Sequence, residues 1–241
     1  MYLDHFFSAA ENVFRRIREE QRNAIEAAAE AIAKSLSAHG ALVVMDTGHM
    51  LRHEAMVRAG GLMAIAPFAY DLTVENDMPQ RPAMRTPEEM ADIEARKAAL
   101  ALDASNMRPG DVLIINSNSG RTPNVIETAL QCKPRGIVTI GLSSAGQMAQ
   151  CAAAHHSGKK LFDVVDIPVD NCGHYGDAVV EVKDNEKMCP LSGLASAYVF
   201  WAIQAEAVER LQALEVNPTI YRSVHVSGQE YIDKQRERFI E

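Results

Sequence analysis

Short, wholly apolar runs alternate along this chain with longer stretches whose apolar residues recur at helical spacing. A strand that is apolar at every position is typical of a parallel sheet buried on both faces. Because helical stretches separate these runs, the pattern predicts an α/β fold, with a parallel sheet covered by helices on both faces. The apolar runs are residues 42–45, 62–66, 112–115, 137–142, 164–169 and 178–182, and the helical stretches between them include 50–59, 87–106 and 145–153.

Both ends of the chain are expected to be helical. Residues 4–38 carry one or two apolar stripes, and an amphipathic helix of this length packs either on a partner subunit or on its own sheet. We divide the chain into an N-terminal helical segment, residues 1–38, expected to make oligomer contacts, and a domain formed by residues 39–241. Residues 190–214 predict a second long helix, which is buried because its first half is apolar on nearly every side.

One strand–turn–helix unit has the chemistry of an anion site. The third apolar run ends in the polar turn 116–120, after which Thr122 is a helix cap and Pro123 takes the first helical position. The hydroxyls of Ser117, Ser119 and Thr122 stand beside the free amides of the first helical turn. This arrangement suits a phosphate monoester, and each hydrogen bond to it is worth about 1.5–3 kcal/mol. The alternative is an ordinary turn capped by its own hydroxyls.

Other polar turns should lie beside this one. In a parallel sheet, ligands bind outside the carboxyl ends of the strands. Thr47 and Gly48 follow the first apolar run, Ser143 ends the fourth, and the polar loop 170–177 follows the fifth. We therefore expect these residues to line one edge of the sheet together with the anion site, and Thr47, Gly48 and Ser143 to bind the ligand.

Composition and charge narrow the class of protein. The net charge of −8 argues against a nucleic-acid or anionic-membrane partner, and a phosphate ligand must be held by local dipoles. No apolar run is long enough to cross a bilayer, and the N-terminus mixes both charge signs, unlike a signal peptide. Without a CxxC motif, the four cysteines support neither a zinc ribbon nor a disulfide framework. We expect a reduced, cytoplasmic protein.

Residues 108–130, RPGDVLIINSNSGRTPNVIETAL, resemble the phosphate loop of SIS (sugar isomerase) domains, whose pattern is S-x-S-G-x-T. IVTIGLSS, HHSGKKLFDVVDIPVDN, YGDAVVEV and YRSVHV extend the resemblance to single-domain SIS proteins labelled phosphosugar or phosphoheptose isomerases. It implies a three-layer α/β/α sandwich with a five-stranded, flavodoxin-like parallel sheet. It also implies a homodimer or homotetramer with shared sites, in which Ser117, Asn118, Ser119, Gly120 and Thr122 bind a sugar phosphate.

The first-strand loop departs from that family. The relatives usually carry G-T-G-H-S-H there, whereas this chain reads Asp46-Thr47-Gly48-His49-Met50 and lacks the serine. Phosphoheptose isomerases also place a base carboxylate on the following helix. Glu54 is the acid on that helix, about one turn earlier than the family pattern.

Aldose–ketose isomerisation needs a base and a donor to the developing oxyanion. We assign Glu54 as the base and His49 or His174 as the acid, with His53 a weaker choice. The alternative for Glu54 is a surface ion pair with Arg58 at i+4.

Two histidine pairs raise the question of a metal. His49 and His53 are four residues apart, with Glu54 adjacent, but the HExxH order is absent and no third ligand is evident. His155 and His156 precede a Ser-Gly-Lys-Lys turn and are expected to be solvated, unless a neighbouring subunit uses them. We therefore expect no metal and no other cofactor.

These expectations combine into a cytoplasmic phosphosugar isomerase that acts through an enediol. A non-catalytic sugar-phosphate sensor is the alternative from another class, although no DNA-binding helix-turn-helix precedes residue 40. A third possibility keeps the same phosphate loop but makes the protein a lyase or deaminase of an amino sugar phosphate.

Overall fold

The computed structural model describes residues 1–48, 51–75 and 85–237 and contains the predicted parallel sheet. Its five strands lie in the order β2-β1-β3-β4-β5, and every neighbouring pair is parallel. This is the order of a flavodoxin-like sheet, so the predicted fold class is confirmed. The strands are β1 Leu42–Asp46, β2 Ile65–Pro67, β3 Val112–Asn116, β4 Val138–Ser143 and β5 Ile167–Asp170.

Helices cover both faces of this sheet. Alternate residues of β1 point to opposite faces, as the pleat of a strand requires. Leu42 and Val44 join the core beneath one helical layer, and Val43 and Met45 join the core beneath the other. The helices are α1 Tyr2–Glu20, α2 Arg22–Ser37, α3 Leu51–Ala55, α4 Pro87–Asp103, α5 Pro123–Cys132, α6 Ala145–Gln150, α7 Ser192–Ala213 and α8 Val224–Glu237.

The N-terminal stretch is part of the same core. It forms two helices that meet at Gln21, and Ile17, Ile25 and Ile32 are buried in one cluster with the sheet and with α7. Of the two alternatives for this stretch, the structure supports packing on its own sheet. Residues of both segments share this core, and the division at residue 38 and the expected oligomer contact stay predictions.

Two predicted elements near α3 have different bounds. The helix expected over residues 50–59 is described from Leu51 and ends at Ala55. The strand expected over 62–66 begins only at Ile65, because Leu62 forms an antiparallel bridge with Ile220 and the Met63 amide donates to the Thr219 carbonyl at 2.9 Å. Residues 62 and 63 therefore pair with residues 219 and 220, and not with the parallel sheet to which the apolar pattern assigned them.

Other boundaries follow from local structure. The fifth strand begins at Ile167 and not at 164, because Leu161–Asp163 form a turn of 3₁₀-helix before it. The last predicted strand is one arm of an antiparallel hairpin, β6 Ala178–Glu181 with β7 Lys187–Pro190. Residues 68–86 have neither helical nor strand periodicity and therefore predict a long loop, of which residues 76–84 lie outside the described residues. No helix in the described ranges is both long and apolar enough to cross a membrane.

Candidate functional site

The turn between β3 and α5 is held in place by its own backbone. The Ser117 amide donates to the Leu142 carbonyl at 3.0 Å, and the Gly120 amide donates to the Ser117 carbonyl at 3.0 Å. The Gly120 carbonyl accepts from the Leu161 amide at 2.8 Å. Gly120 has φ +52°, a left-handed conformation that favours glycine. The predicted anion site is therefore a fixed loop, which we call the phosphate loop, residues 117–122.

Several donors of the phosphate loop have no partner within the described part of the chain. The amides of Ser119, Arg121 and Thr122 donate no hydrogen bond there. Thr122 takes the predicted cap position of α5, but its hydroxyl accepts no capping hydrogen bond and its side chain is exposed. These groups stand at the positive end of the α5 dipole and can bind an anion.

Ser143 has a supporting position beneath the phosphate loop. Its hydroxyl donates to the Ser117 carbonyl at 2.6 Å, and the side chain is fully buried. Ser143 is thus positioned to support the phosphate loop, because its hydroxyl is already used inside the protein, and its predicted contact with the ligand stays a prediction. Ser144 caps α6, since its hydroxyl accepts from the Gln147 amide at 3.0 Å.

A cavity of about 430 Å³ lies beside the phosphate loop, between the carboxyl edge of the sheet and the start of α7. The Asn118 carboxamide oxygen accepts from Asn171 at 3.1 Å, and the same Asn171 group donates to Ser196 at 3.1 Å. Polar side chains thus fix the cavity wall. The lining residues are Gly48, Asn116, Asn118, Asp177, Pro190, Ser192, Gly193, Leu194 and Ser196.

One carboxylate, Asp177, lines this cavity, and a second, Asp46, lies behind its wall. Asp177 accepts hydrogen bonds from the amides of Leu191 and Ser192 and from the Ser192 hydroxyl, so it holds the start of α7. Asp46 accepts from the Asn116 carboxamide at 2.7 Å and from the Gly48 amide at 3.0 Å. Because Asn116 and Gly48 line the cavity, Asp46 lies behind the cavity wall.

The first-strand loop is described as far as Gly48. Thr47 is exposed, and its hydroxyl donates to the Asn116 carbonyl at 3.1 Å. His49, expected to be an acid, lies outside the described residues. His174, the other expected acid, is exposed on the loop after β5 and is not among the residues that line the cavity.

Glu54 is engaged elsewhere. Its carboxylate forms an ion pair with Arg58 at 3.0 Å and accepts from the Trp201 indole at 3.2 Å. It is not among the residues that line the cavity. The ion pair that sequence spacing offered as the alternative is present, and the geometry does not support Glu54 as the base.

A buried histidine–carboxylate pair was missed in the sequence. His155 was expected in a solvated turn, but its side chain is 1% exposed and its Nε2 lies 2.8 Å from a Glu127 carboxylate oxygen. Its Nδ1 lies 2.7 Å from the Ser157 hydroxyl. The available signal was Glu127 itself, an acid within the apolar positions of α5, where Val125 and Ile126 are fully buried.

The four cysteines are free, as the absence of CxxC motifs predicts. Burial raises the pKa of the Cys172 thiol to about 12, and the nearby Asp170 adds to this shift. Burial likewise raises the pKa of Cys132 to about 12. These two thiols are protonated at neutral pH and are not nucleophiles.

This chain is similar to known proteins in both sequence and fold. The model of the SIS domain matches residues 5–144. A UPF0309 protein from Thermoanaerobacter pseudethanolicus is 30% identical over 238 residues, 95% of this chain and 92% of that protein. One from Streptomyces griseus is 30% identical over 226 residues, 92% and 88% of the two chains. The solved phosphoheptose isomerase from Francisella tularensis shares the fold, with a TM-score of 0.50 at 14% identity over 88% of this chain and 96% of its own.

Proposed function

This chain belongs to the SIS domain family, and from that premise we propose that it binds a phosphorylated sugar at the carboxyl edge of its sheet. The observation that carries the proposal is the phosphate loop, a fixed turn whose amides at Ser119, Arg121 and Thr122 donate to no other described group. Such a turn can bind an anion without rearranging, although the whole chain carries a net charge of −8.

The cavity beside the phosphate loop suits the rest of a sugar. Its wall offers carboxamides and hydroxyls, among them Asn116, Asn118 and Ser196. The Asn116 carboxamide is oriented in this wall by its hydrogen bond to Asp46. A sugar phosphate would therefore place its phosphate at the phosphate loop and its hydroxyls against the polar side chains of the cavity.

A thermal-shift screen with a panel of sugar phosphates tests this proposal. We expect at least one sugar phosphate to raise the Tm, and Ser119→Ala to weaken its binding about 10- to 100-fold. This range corresponds to the loss of one hydrogen bond to a charged group, about 1.5–3 kcal/mol. Apparent affinity is read from the dependence of Tm on ligand concentration.

Ser8→Ala is the matched control, because Ser8 is an exposed hydroxyl on α1, outside the phosphate loop and the cavity lining. It should bind like the wild type. If no sugar phosphate raises the Tm, or if Ser119→Ala and Ser8→Ala bind equally well, the phosphate loop is not the binding site.

The reaction we propose for the bound ligand is aldose–ketose isomerisation through an enediol. Asp46 is the carboxylate that the geometry favours as base, because it accepts hydrogen bonds from two residues of the cavity wall, whereas the partners of Glu54, Arg58 and Trp201, do not belong to that wall. The base removes the proton from the carbon next to the carbonyl and returns it to the former carbonyl carbon, while the hydroxyl proton of the first carbon passes to the carbonyl oxygen.

Proton exchange in deuterated buffer tests the reaction. We expect the wild type to incorporate deuterium at the carbon next to the carbonyl, and Asp46→Asn to slow this about 10²- to 10⁴-fold, the usual contribution of a general base. Glu54→Gln is the matched carboxylate control and should exchange at nearly the wild-type rate. Binding without exchange would instead support the sensor, and release of ammonia from an amino sugar phosphate would support the deaminase.

A further inference from the structure

A second cluster of side chains that can bind a metal lies beside the middle of α5. Glu127 of α5 and the adjacent residues His155 and His156 each offer one ligand atom, and these atoms all lie within 4.8 Å of one another. His155 and His156 come from the segment after α6, so the fold brings together residues that are about thirty positions apart. None of these three residues belongs to the phosphate loop or lines its cavity.

We propose that Glu127, His155 and His156 bind a divalent transition metal, with Zn²⁺ as the preferred ion. Two imidazoles and one carboxylate are ligands that suit zinc, and three protein ligands leave a fourth position open for water or a substrate. His155 and His156 line a cavity of about 580 Å³, together with Tyr70, Asn124 and Lys97. The open position can therefore be reached by a small molecule.

The surroundings of His155 match those of a metal-binding histidine. Its Nδ1 lies 2.7 Å from the Ser157 hydroxyl, and a hydroxyl can donate or accept. The Ser157 amide also donates to Nδ1 at 3.3 Å, so without a metal the ring proton lies on Nε2 and is donated to Glu127. With a metal on Nε2, the ring proton moves to Nδ1, where the Ser157 hydroxyl accepts it in place of the hydrogen bond from the amide.

The alternative is that Glu127 and His155 form only a structural hydrogen-bonded pair, and this alternative accounts for part of the cluster. Glu127 and His155 are both buried and bonded to each other, which is the pattern of a satisfied polar pair. That explanation leaves out His156, which is exposed and whose ring centroid lies 4.0 Å from that of His155. The exposed His156 supplies the third ligand and the side from which an ion can enter.

Equilibrium dialysis of the tag-free full chain, stripped of metal, against Zn²⁺ alone tests the site. We expect one zinc per chain by atomic absorption, and His156→Ala should weaken binding by more than about tenfold, since disturbing even a second-shell contact costs this much. His156 is exposed, so this variant should keep its fold, which circular dichroism checks. His5→Ala, an exposed histidine on α1, is the matched control and should bind as the wild type does.

Glu127→Gln keeps the size and hydrogen-bonding ability of the side chain but removes its charge, and should also weaken zinc binding. The site would be excluded if the wild type retains no zinc, or if His156→Ala and Glu127→Gln bind it as tightly as His5→Ala does. Because zinc is the sole ligand in this experiment, its outcome is independent of sugar-phosphate binding.

Discussion

Gly120→Ala is expected to lower the free energy of unfolding by about 2–5 kcal/mol and to abolish sugar-phosphate binding. An alanine in the left-handed conformation at φ +52° costs about 1–2 kcal/mol. Its Cβ would also lie 2.5 Å from the Met148 sulfur and 2.8 Å from the Ser143 hydroxyl. Overpacking of this kind typically costs about 1–3 kcal/mol and would displace the phosphate loop.

Gly158→Ala separates the two causes. Gly158 has φ +71°, but an added Cβ there meets nothing within 4 Å. It should therefore show the conformational cost alone, about 1–2 kcal/mol, with the phosphate loop unaffected. Urea unfolding gives both free energies. Equal destabilisation by the two substitutions would contradict the close packing that we describe around Gly120.

His155→Ala is expected to lower the free energy of unfolding by about 3–5 kcal/mol, measured by urea unfolding in the presence of a chelator. The cause is the carboxylate of Glu127, whose side chain is 6% exposed and would be left buried without its partner. Removing one member of a buried pair leaves the desolvation cost of the other uncompensated.

The double variant Glu127→Leu with His155→Leu tests this explanation. Replacing both members by apolar residues of similar volume leaves no polar group unpaired, so the double variant should be more stable than His155→Ala. A double variant at least as unstable as the single one would show that the stability comes from the shape of these side chains and not from their pairing.

The fold and the phosphate loop could be predicted because their signals are local. Strands such as β3 are apolar at every position, and a strand buried on both faces has few alternatives. The cap position of Thr122, the proline at 123 and the glycine at 120 each have a conformational reason within a few residues of sequence. The order of the strands followed from the resemblance and is confirmed by the sheet.

The chemistry beyond the loop depends on contacts between distant residues. The spacing of Glu54 and Arg58 was compatible with either a catalytic role or an ion pair. Trp201, 147 positions away, donates a hydrogen bond that helps to hold the Glu54 carboxylate in the ion pair. The burial of His155 depends on Glu127, 28 positions earlier, which no local pattern connects to it. Likewise, Leu62 leaves the predicted strand because of its bridge to Ile220.

Calorimetric titration with a sugar phosphate from the screen, and with the same sugar lacking its phosphate, tests whether the phosphate loop anchors the ligand. If the phosphate loop is the anchor, the wild type should bind the phosphorylated sugar at least about 100-fold more tightly, because several charge-assisted hydrogen bonds of about 1.5–3 kcal/mol each are gained. In Ser119→Ala this preference should shrink while the affinity for the unphosphorylated sugar stays the same. Equal affinity of the wild type for the two sugars would contradict the account.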